Sequence, residues 1–320
     1  MILLVAPPDD RHAAAVAAGL TARGERVALI DVRNLTAQIG VEAEFRPGHR
    51  PGGSLTVTRV DGAEQRIDLA DISVGWWRRT WIPFLGADDP RLFGAPVDFG
   101  EAFISALEGL DISWANDPVS VDLAQRRTRL WSAARRAGLT MPHTLITRDP
   151  AAAHRFAVQN LRTGIVCRPL TKTGIEWPTQ DRILGVSAVD DLVDPDGPEV
   201  VLRAFVAGAD LRVWVAGDAV HAIEHGATPV DEAARLAAGD ESRPGTAVDL
   251  PVEVVDAVRT LVTSLGLGHA AVDLRRTRAG EHLFLDLDPM ASWLGAEQVS
   301  GLPLTAAIVD DLVQRVAARV

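Results

Sequence analysis

The chain is 320 residues long, enough to bury a sizeable core in two domains or in one with distinct lobes. Hydrophobic residues make up 47% and charged residues 23%, the balance of an ordinary globular protein. The formal net charge of -11 excludes a general nucleic-acid binder with a broad basic face, while leaving room for a local basic pocket.

Cysteine usage narrows the classes further. Cys167 is the single cysteine, which excludes an internal disulfide framework and a thiolate zinc centre and leaves it the role of a small apolar strand residue. Lys172 is the single lysine, so all but one of the 32 basic residues are arginines. The first residues carry no basic start and too short an apolar run for a signal peptide, and no apolar stretch is long enough to span a bilayer. A cytoplasmic protein is the expectation.

In chain order, Ile2 to Ala6 reads as a buried strand and the Ala-rich run to Arg23 as a helix that Asp9 or Asp10 caps and Gly24 ends. Val27 to Ile30 is a second strand, which makes the opening β-α-β and predicts a parallel α/β layer. Ser54 to Val60 alternates as an edge or hairpin strand, and Asp71 to Trp77 is a strand running into Arg78 and Arg79. Phe99 to Leu110 reads as a helix and Ile112 to Ala115 as a strand. Asp122 to Ala137 has one continuous helical spacing, with Leu123, Leu130 and Ala134 on one face. Strands are expected at His143 to Thr147, Ile165 to Arg168, Val200 to Phe205, Leu211 to Val215 and Val220 to Glu224, with a helix over Ala151 to Gln159. Asp231 to Gly245 reads as a short helix and loop, and Pro251 to Leu265 as a helix with proline in its first turn. Ala270 to Leu274 and His282 to Leu287 read as an antiparallel pair turning at Arg278-Ala279-Gly280, before a closing helix from Pro303.

Three constellations carry chemistry. Asp286 and Asp288 lie two apart on a strand and so share a face, and Asp273 joins them if the hairpin pairs. Hard carboxylate oxygens of this kind suit magnesium, which takes one or two carboxylates together with substrate phosphates. A solvated strand edge is the plainer alternative, but the three sit among Leu, Val and Phe, and a buried carboxylate needs a partner. Arg126, Arg168, Lys172 and Arg212 lie in separate segments, and the small and hydroxyl residues around Lys172 suit a loop closing over phosphates. Neither G-x-x-x-x-G-K-[ST] nor a G-x-G-x-x-G after the first strand is present. Trp76-Trp77-Arg78-Arg79 could take an acidic group, and aromatic packing with a surface arginine pair explains it equally well. The histidines form no H-E-x-x-H motif, and no G-x-S-x-G elbow occurs.

Taken together these segments resemble the ATP-grasp superfamily, and more closely the ribosomal-peptide maturases of the microviridin, or graspetide, type. Ser73-Val74-Gly75-Trp76-Trp77-Arg78-Arg79 is similar to the W-[YW]-R-R strand of that family's pre-grasp domain. Asn116-Asp117-Pro118 and Gly138-Leu139-Thr140-Met141-Pro142-His143-Thr144-Leu145-Ile146-Thr147 resemble its N-x-P and G-L-x-x-P-x-T-L-x-T segments, and Asp210-Leu211-Arg212-Val213 its D-L-R-V segment. Asp273-Leu274, Phe284-Leu285-Asp286-Leu287-Asp288-Pro289 and Gly301-Leu302-Pro303 resemble its closing D-L, F-L-E-x-N-P and G-L-P segments, with Asp-Leu-Asp in place of E-x-N.

The resemblance implies an ATP-grasp fold with an N-terminal parallel α/β pre-grasp domain over 1–118. A small lobe over 119–205 would carry a nucleotide-covering loop near 169–176, and a C-terminal lobe over 206–320 the metal site. It implies an ATP- and Mg2+-dependent ligase that activates a side-chain carboxylate as an acyl phosphate and forms ester or amide cross-links in a ribosomal precursor peptide. Asp273, Asp286 and Asp288 would hold the metal; Arg126, Arg168 and Lys172 the phosphates; and the stretch Arg203, Ala204, Phe205 and Val206 the adenine, through backbone groups. Arg212 would meet the γ-phosphate or acyl phosphate, Asp210 would serve as base for the incoming nucleophile, and Arg78 and Arg79 would bind substrate. The partner would be leader and core of the precursor peptide, with no nucleic acid and no membrane, and with a homodimer left open. Two other readings remain: an ATP-grasp ligase joining an amino acid to a small carboxylate, and a catalytically impaired ATP-grasp protein that holds a peptide without turnover.

Overall fold

A computed structural model describes residues 1–7, 9–31, 39–48, 52–58, 64–78, 95–110, 112–170, 183–227 and 245–318. Arg79, Lys172, the rest of 171–176 and most of 231–245 lie outside them. The chain divides into two compact units, residues 1–121 with 305–320, and residues 122–304.

In the first unit, β1 (Ile2–Val5) lies between β2 (Val27–Ile30) and β6 (Val74–Trp77), with β7 (Ser113–Trp114) outside β6, and every pairing is parallel. β1 is buried along its whole length, which is why it reads as an unbroken apolar run rather than an alternating one. Helix α1 (Arg11–Ala22) starts where the Asp10 carboxylate accepts from the N–H groups of His12 and Ala13, each at 2.9 Å. It ends at Gly24, whose φ of +82° suits a residue without Cβ. Strands β3 (Ile39–Glu44), β4 (Gly52–Thr58) and β5 (Glu64–Asp68) form a separate antiparallel sheet.

The closing helix belongs to this unit. It runs over Leu304–Ala317, and its Val309 lies so near α1 that a Cβ on Gly19 would come within 2.7 Å of the valine. Its Arg315 donates to the Trp114 carbonyl at 3.0 Å while pairing with Asp311 at 2.8 Å. A further helix of the unit, α2, spans Ala95–Glu108.

The second unit holds two antiparallel sheets. One has the order β10 (Ile183–Leu184), β9 (Ile165–Pro169), β11 (Val200–Ala204), β8 (Thr144–Thr147). Helices α5 (Pro150–Gln159) and α6 (Val186–Leu192) pack on it over a core that includes Phe156, Val189 and Leu202. Cys167 is in that core, and burial pushes its thiol up to about 12. The thiol should therefore resist thiol-selective reagents at neutral pH in the native protein and react on unfolding, as a denaturant-dependent labelling assay would show. Fast labelling of the native chain would contradict this burial.

The other sheet has the order β14 (Thr246–Val248), β13 (Ala219–Ala227), β12 (Gly208–Ala216), β15 (His269–Thr277), β16 (His282–Asp288). The hairpin expected between β15 and β16 forms, with Gly280 at φ +87° in its turn. Helix α7 (Val252–Ser264) buries Val254, Val258, Leu261 and Val262, and the short α8 covers Leu294–Ser300.

One expectation changes with consequences for the site. The spacing over Asp122 to Ala137 reads as a single helix, but the chain forms α3 (Pro118–Ala124) and α4 (Arg127–Arg136) with a break at Gln125 and Arg126. The break leaves Arg126 exposed as the N-terminal cap of α4, where it pairs with Asp122 at 3.1 Å, and turns Arg127 into the protein. No described helix is long and apolar enough to cross a membrane.

Candidate active site

The middle of the five-stranded sheet places one row of charges side by side. Arg212 on β12 is directly opposite Asp273 on β15, and Asp273 is directly opposite Asp286 on β16. Opposed residues on neighbouring strands are near enough for their side chains to meet. Arg212 lies 3.1 Å from Asp273 and 3.5 Å from Asp288, so one guanidinium spans two of the carboxylates. Its own cation is opposed by burial, but Asp273, Asp288 and Asp286 together outweigh that and raise its pKa.

A bulge on β16 makes this arrangement compatible with the core. Asp286 pairs with Asp273 and Phe284 with Leu274, so Leu285 is the extra residue. In an unbroken strand Phe284, Asp286 and Asp288 would share one face. The extra residue shifts the alternation, so Phe284 and Leu287 are both fully buried while Asp286 and Asp288 keep partial exposure. The carbonyl of Leu285 accepts from Arg203 at 3.0 Å. Asp288 also accepts from the N–H of Met290 at 2.9 Å, which fixes the turn after the strand.

Opposite these carboxylates stands a concentration of guanidiniums. Arg127 lies 3.6 Å from Asp286 and donates to the Leu170 carbonyl at 2.9 Å. Burial lowers the Arg127 pKa, Asp286 offsets part of this, and Arg168 adds to it. Arg203 is affected more. Burial, followed by the repulsion of Arg168, brings it down to about 9, with Asp286 opposing and Arg127 and Arg275 contributing. The unfolded chain keeps Arg203 protonated up to its ordinary value, so the native state bears the cost of this charge in full at neutral pH and sheds it only above about pH 9. Several arginines press on one carboxylate, an arrangement that a polyphosphate would relieve.

The sequence-derived candidates take four different places. Arg212, Asp273 and Asp286 come together in one row that Asp288 joins through Arg212, and Arg168 and Arg203 act electrostatically on Asp286 or its neighbours. Asp210 is buried and held by Arg275 at 2.6 Å, so service as a base requires leaving that pair. Arg78 is 1% exposed and faces Asp10 at 3.7 Å inside the first unit, holding the end of β6 to the start of α1 rather than presenting its charge to solvent. In the adenine stretch the N–H of Ala204 donates to His143 and that of Phe205 to Gly164, at 2.9 and 3.0 Å, while the Val206 carbonyl accepts from Arg275 at 2.5 Å.

Arg127 and Arg275 escape a reading of the sequence, and so does the inward turn of the Arg203 side chain. A signal for Arg127 existed: it lies on the same helical face as Leu123, Leu130 and Ala134, where an arginine is out of place unless paired.

The carboxylates fit magnesium as part of a shared site. Among the described residues no three acidic, histidine or cysteine side chains converge as a complete protein cage. Asp273 and Asp288 flanking one guanidinium supply hard oxygens beside a phosphate-attracting cluster, the incomplete protein set that magnesium completes with phosphate oxygens.

No family model matches the chain. A probable alpha-L-glutamate ligase 1 of Shewanella sp. strain W3-18-1 is 25% identical over 237 residues, covering 72% of this chain and 77% of the relative. Among solved structures, a Chryseobacterium gregarium RiPP-associated ATP-grasp ligase in complex with ADP, and a leader and core peptide, aligns with TM-score 0.83 at 18% identity, over 98% of this chain and 96% of that one. The macrocyclase MdnC from Microcystis aeruginosa MRC, bound with precursor peptide MdnA, aligns with TM-score 0.79 at 20% identity, over 98% and 100%. Agreement along nearly the whole length, at TM-scores of 0.79 and 0.83, identifies this chain as having the ATP-grasp fold.

Proposed function

We propose that the protein is an ATP-dependent, ADP-forming ligase that cross-links a precursor peptide. The observation that carries this reading is the Arg212–Asp273–Asp286 row set against the guanidiniums of Arg127, Arg168 and Arg203. A carboxylate oxygen of the peptide attacks the γ-phosphorus of ATP and ADP leaves, giving an acyl phosphate. A hydroxyl or amine then attacks the carbonyl carbon, phosphate leaves, and the nucleophile's proton passes to phosphate or solvent. The ring closes with the net loss of one water.

In this reading Arg127, Arg168 and Arg203 bind and orient the polyphosphate, with Lys172 as a further phosphate ligand. Arg212 meets the charge that grows on the transferring phosphoryl group, held ready by two carboxylates. Asp273, Asp286 and Asp288 hold magnesium, which neutralises phosphate charge when bound. Adenine lies along Arg203–Val206, and Arg79 reaches the peptide. Arginine in the phosphate positions favours forked contacts to two oxygens at once over the point contact of an ammonium. The reaction belongs in the cytoplasm, where ATP is supplied.

The likeness to a glutamate ligase favours a second reading, in which an amino acid is joined to a small carboxylate by the same nucleotide chemistry. Mass spectrometry separates the two. Incubation with ATP, magnesium and a short precursor peptide encoded beside the gene should give ADP and peptide lighter by one water per cross-link. ADP release stimulated by free amino acids, with the peptide mass unchanged, would favour the second.

A further inference from the structure

Arg275 on β15 makes contacts that neither the metal row nor the phosphate cluster requires. It pairs with the buried Asp210, with Nε 2.7 Å and Nη2 2.6 Å from Oδ1. Nη1 donates to the Val206 carbonyl at 2.5 Å, and the guanidinium lies 5.7 Å from the centre of the Phe205 ring. One side chain therefore engages two of the three residues between β11 and β12, while Asp210, opposite it on β12, fixes its orientation. Asp210 occupies the register shift between β12 and β13, where the strand bends away from its ladder. Gly208 leaves no slack beside them: a Cβ there would come within 2.2 Å of the Arg276 carbonyl and 3.1 Å of Arg275 Cδ.

We infer that Arg275, held by Asp210, is a positioning residue that sets nucleobase specificity through the Val206 carbonyl. A carbonyl oxygen has two lone pairs. The charged hydrogen bond from Arg275 holds this carbonyl in place and leaves its other lone pair to a further donor. An exocyclic amine of adenine can donate to such an oxygen, whereas the corresponding position of guanine carries an acceptor and is repelled. The brace thus favours adenine over guanine without touching the base. This rests on the proposed nucleotide site and extends it to a residue outside it.

The test uses the full chain and direct binding of ADP, GDP and inorganic tripolyphosphate by calorimetry. Arg275→Ala alone would strand a buried carboxylate, so the informative variant is Arg275→Gln with Asp210→Asn, which keeps net charge and leaves two amides able to bond each other. Its preference for ADP over GDP should fall by about tenfold, the scale of one charged hydrogen bond, while tripolyphosphate binding stays within about twofold. Gly208→Ala, which displaces the brace and removes no charge, should lower the same preference and serves if the double variant does not fold. An unchanged preference in the folded variants, or an equal loss for tripolyphosphate, overturns the inference and leaves the ligase reading intact. Wild-type protein that binds none of the three overturns both.

Discussion

Replacing Arg212 by alanine should reduce peptide-stimulated ADP release by at least about 100-fold, the scale on which loss of a preorganised charge at a transition state is felt. The same change should lower stability by about 3 kcal/mol, since Arg212 is the cation between Asp273 and Asp288 and its removal leaves two carboxylates facing each other. Arg212→Lys separates the effects. It restores a positive charge, so much of the stability should return, but a compact ammonium cannot span two carboxylates and meet a phosphoryl oxygen as a planar fork does. Chemical denaturation measures the first effect and coupled ADP release the second. Alanine at 212 with near-normal ADP release would remove this residue from the chemistry.

Asp286→Asn should have the second largest effect, and its sign should depend on what is bound. Asp286 opposes the repulsion among Arg127, Arg168 and Arg203. Without it the nucleotide-free protein should lose about 3 kcal/mol, the cost of an uncompensated buried charge. Pyrophosphate without magnesium should then raise the thermal midpoint of the variant by more than it raises that of the wild type, because the anion replaces the missing carboxylate. Magnesium-dependent ADP release should be lost in the same protein. Equal protection of both proteins by pyrophosphate would show that the guanidiniums do not form a polyanion site.

Much of this was legible in the sequence. The β-α-β opening follows from short apolar runs and cap residues, and the β15–β16 pair from alternation around a glycine turn. The acidic row was legible because two-residue spacing on a strand fixes a shared face. That Arg127 rather than Arg126 turns inward was harder to see, because helical spacing continues through the break and only burial distinguishes the two arginines. Arg275 gave no local sign: its partners, Asp210 and Val206, are 65 and 69 positions away in sequence. The bulge at Leu285 was hidden for a similar reason, since the parity of a strand can be checked only against its neighbour.

The closing helix has a consequence for how the chain folds as it is made. Residues 122–304 are contiguous, whereas the first unit is assembled from residues 1–121 and 305–320. The two antiparallel sheets of that stretch can therefore form as soon as their own segment has emerged, while the first unit gains its closing helix only from residues nearly 200 positions after the last strand of its parallel sheet. Until then the face of α1 that Gly19 opens to Val309 lacks its cover, so the unit whose strands emerge ahead of residues 122–304 is completed after them.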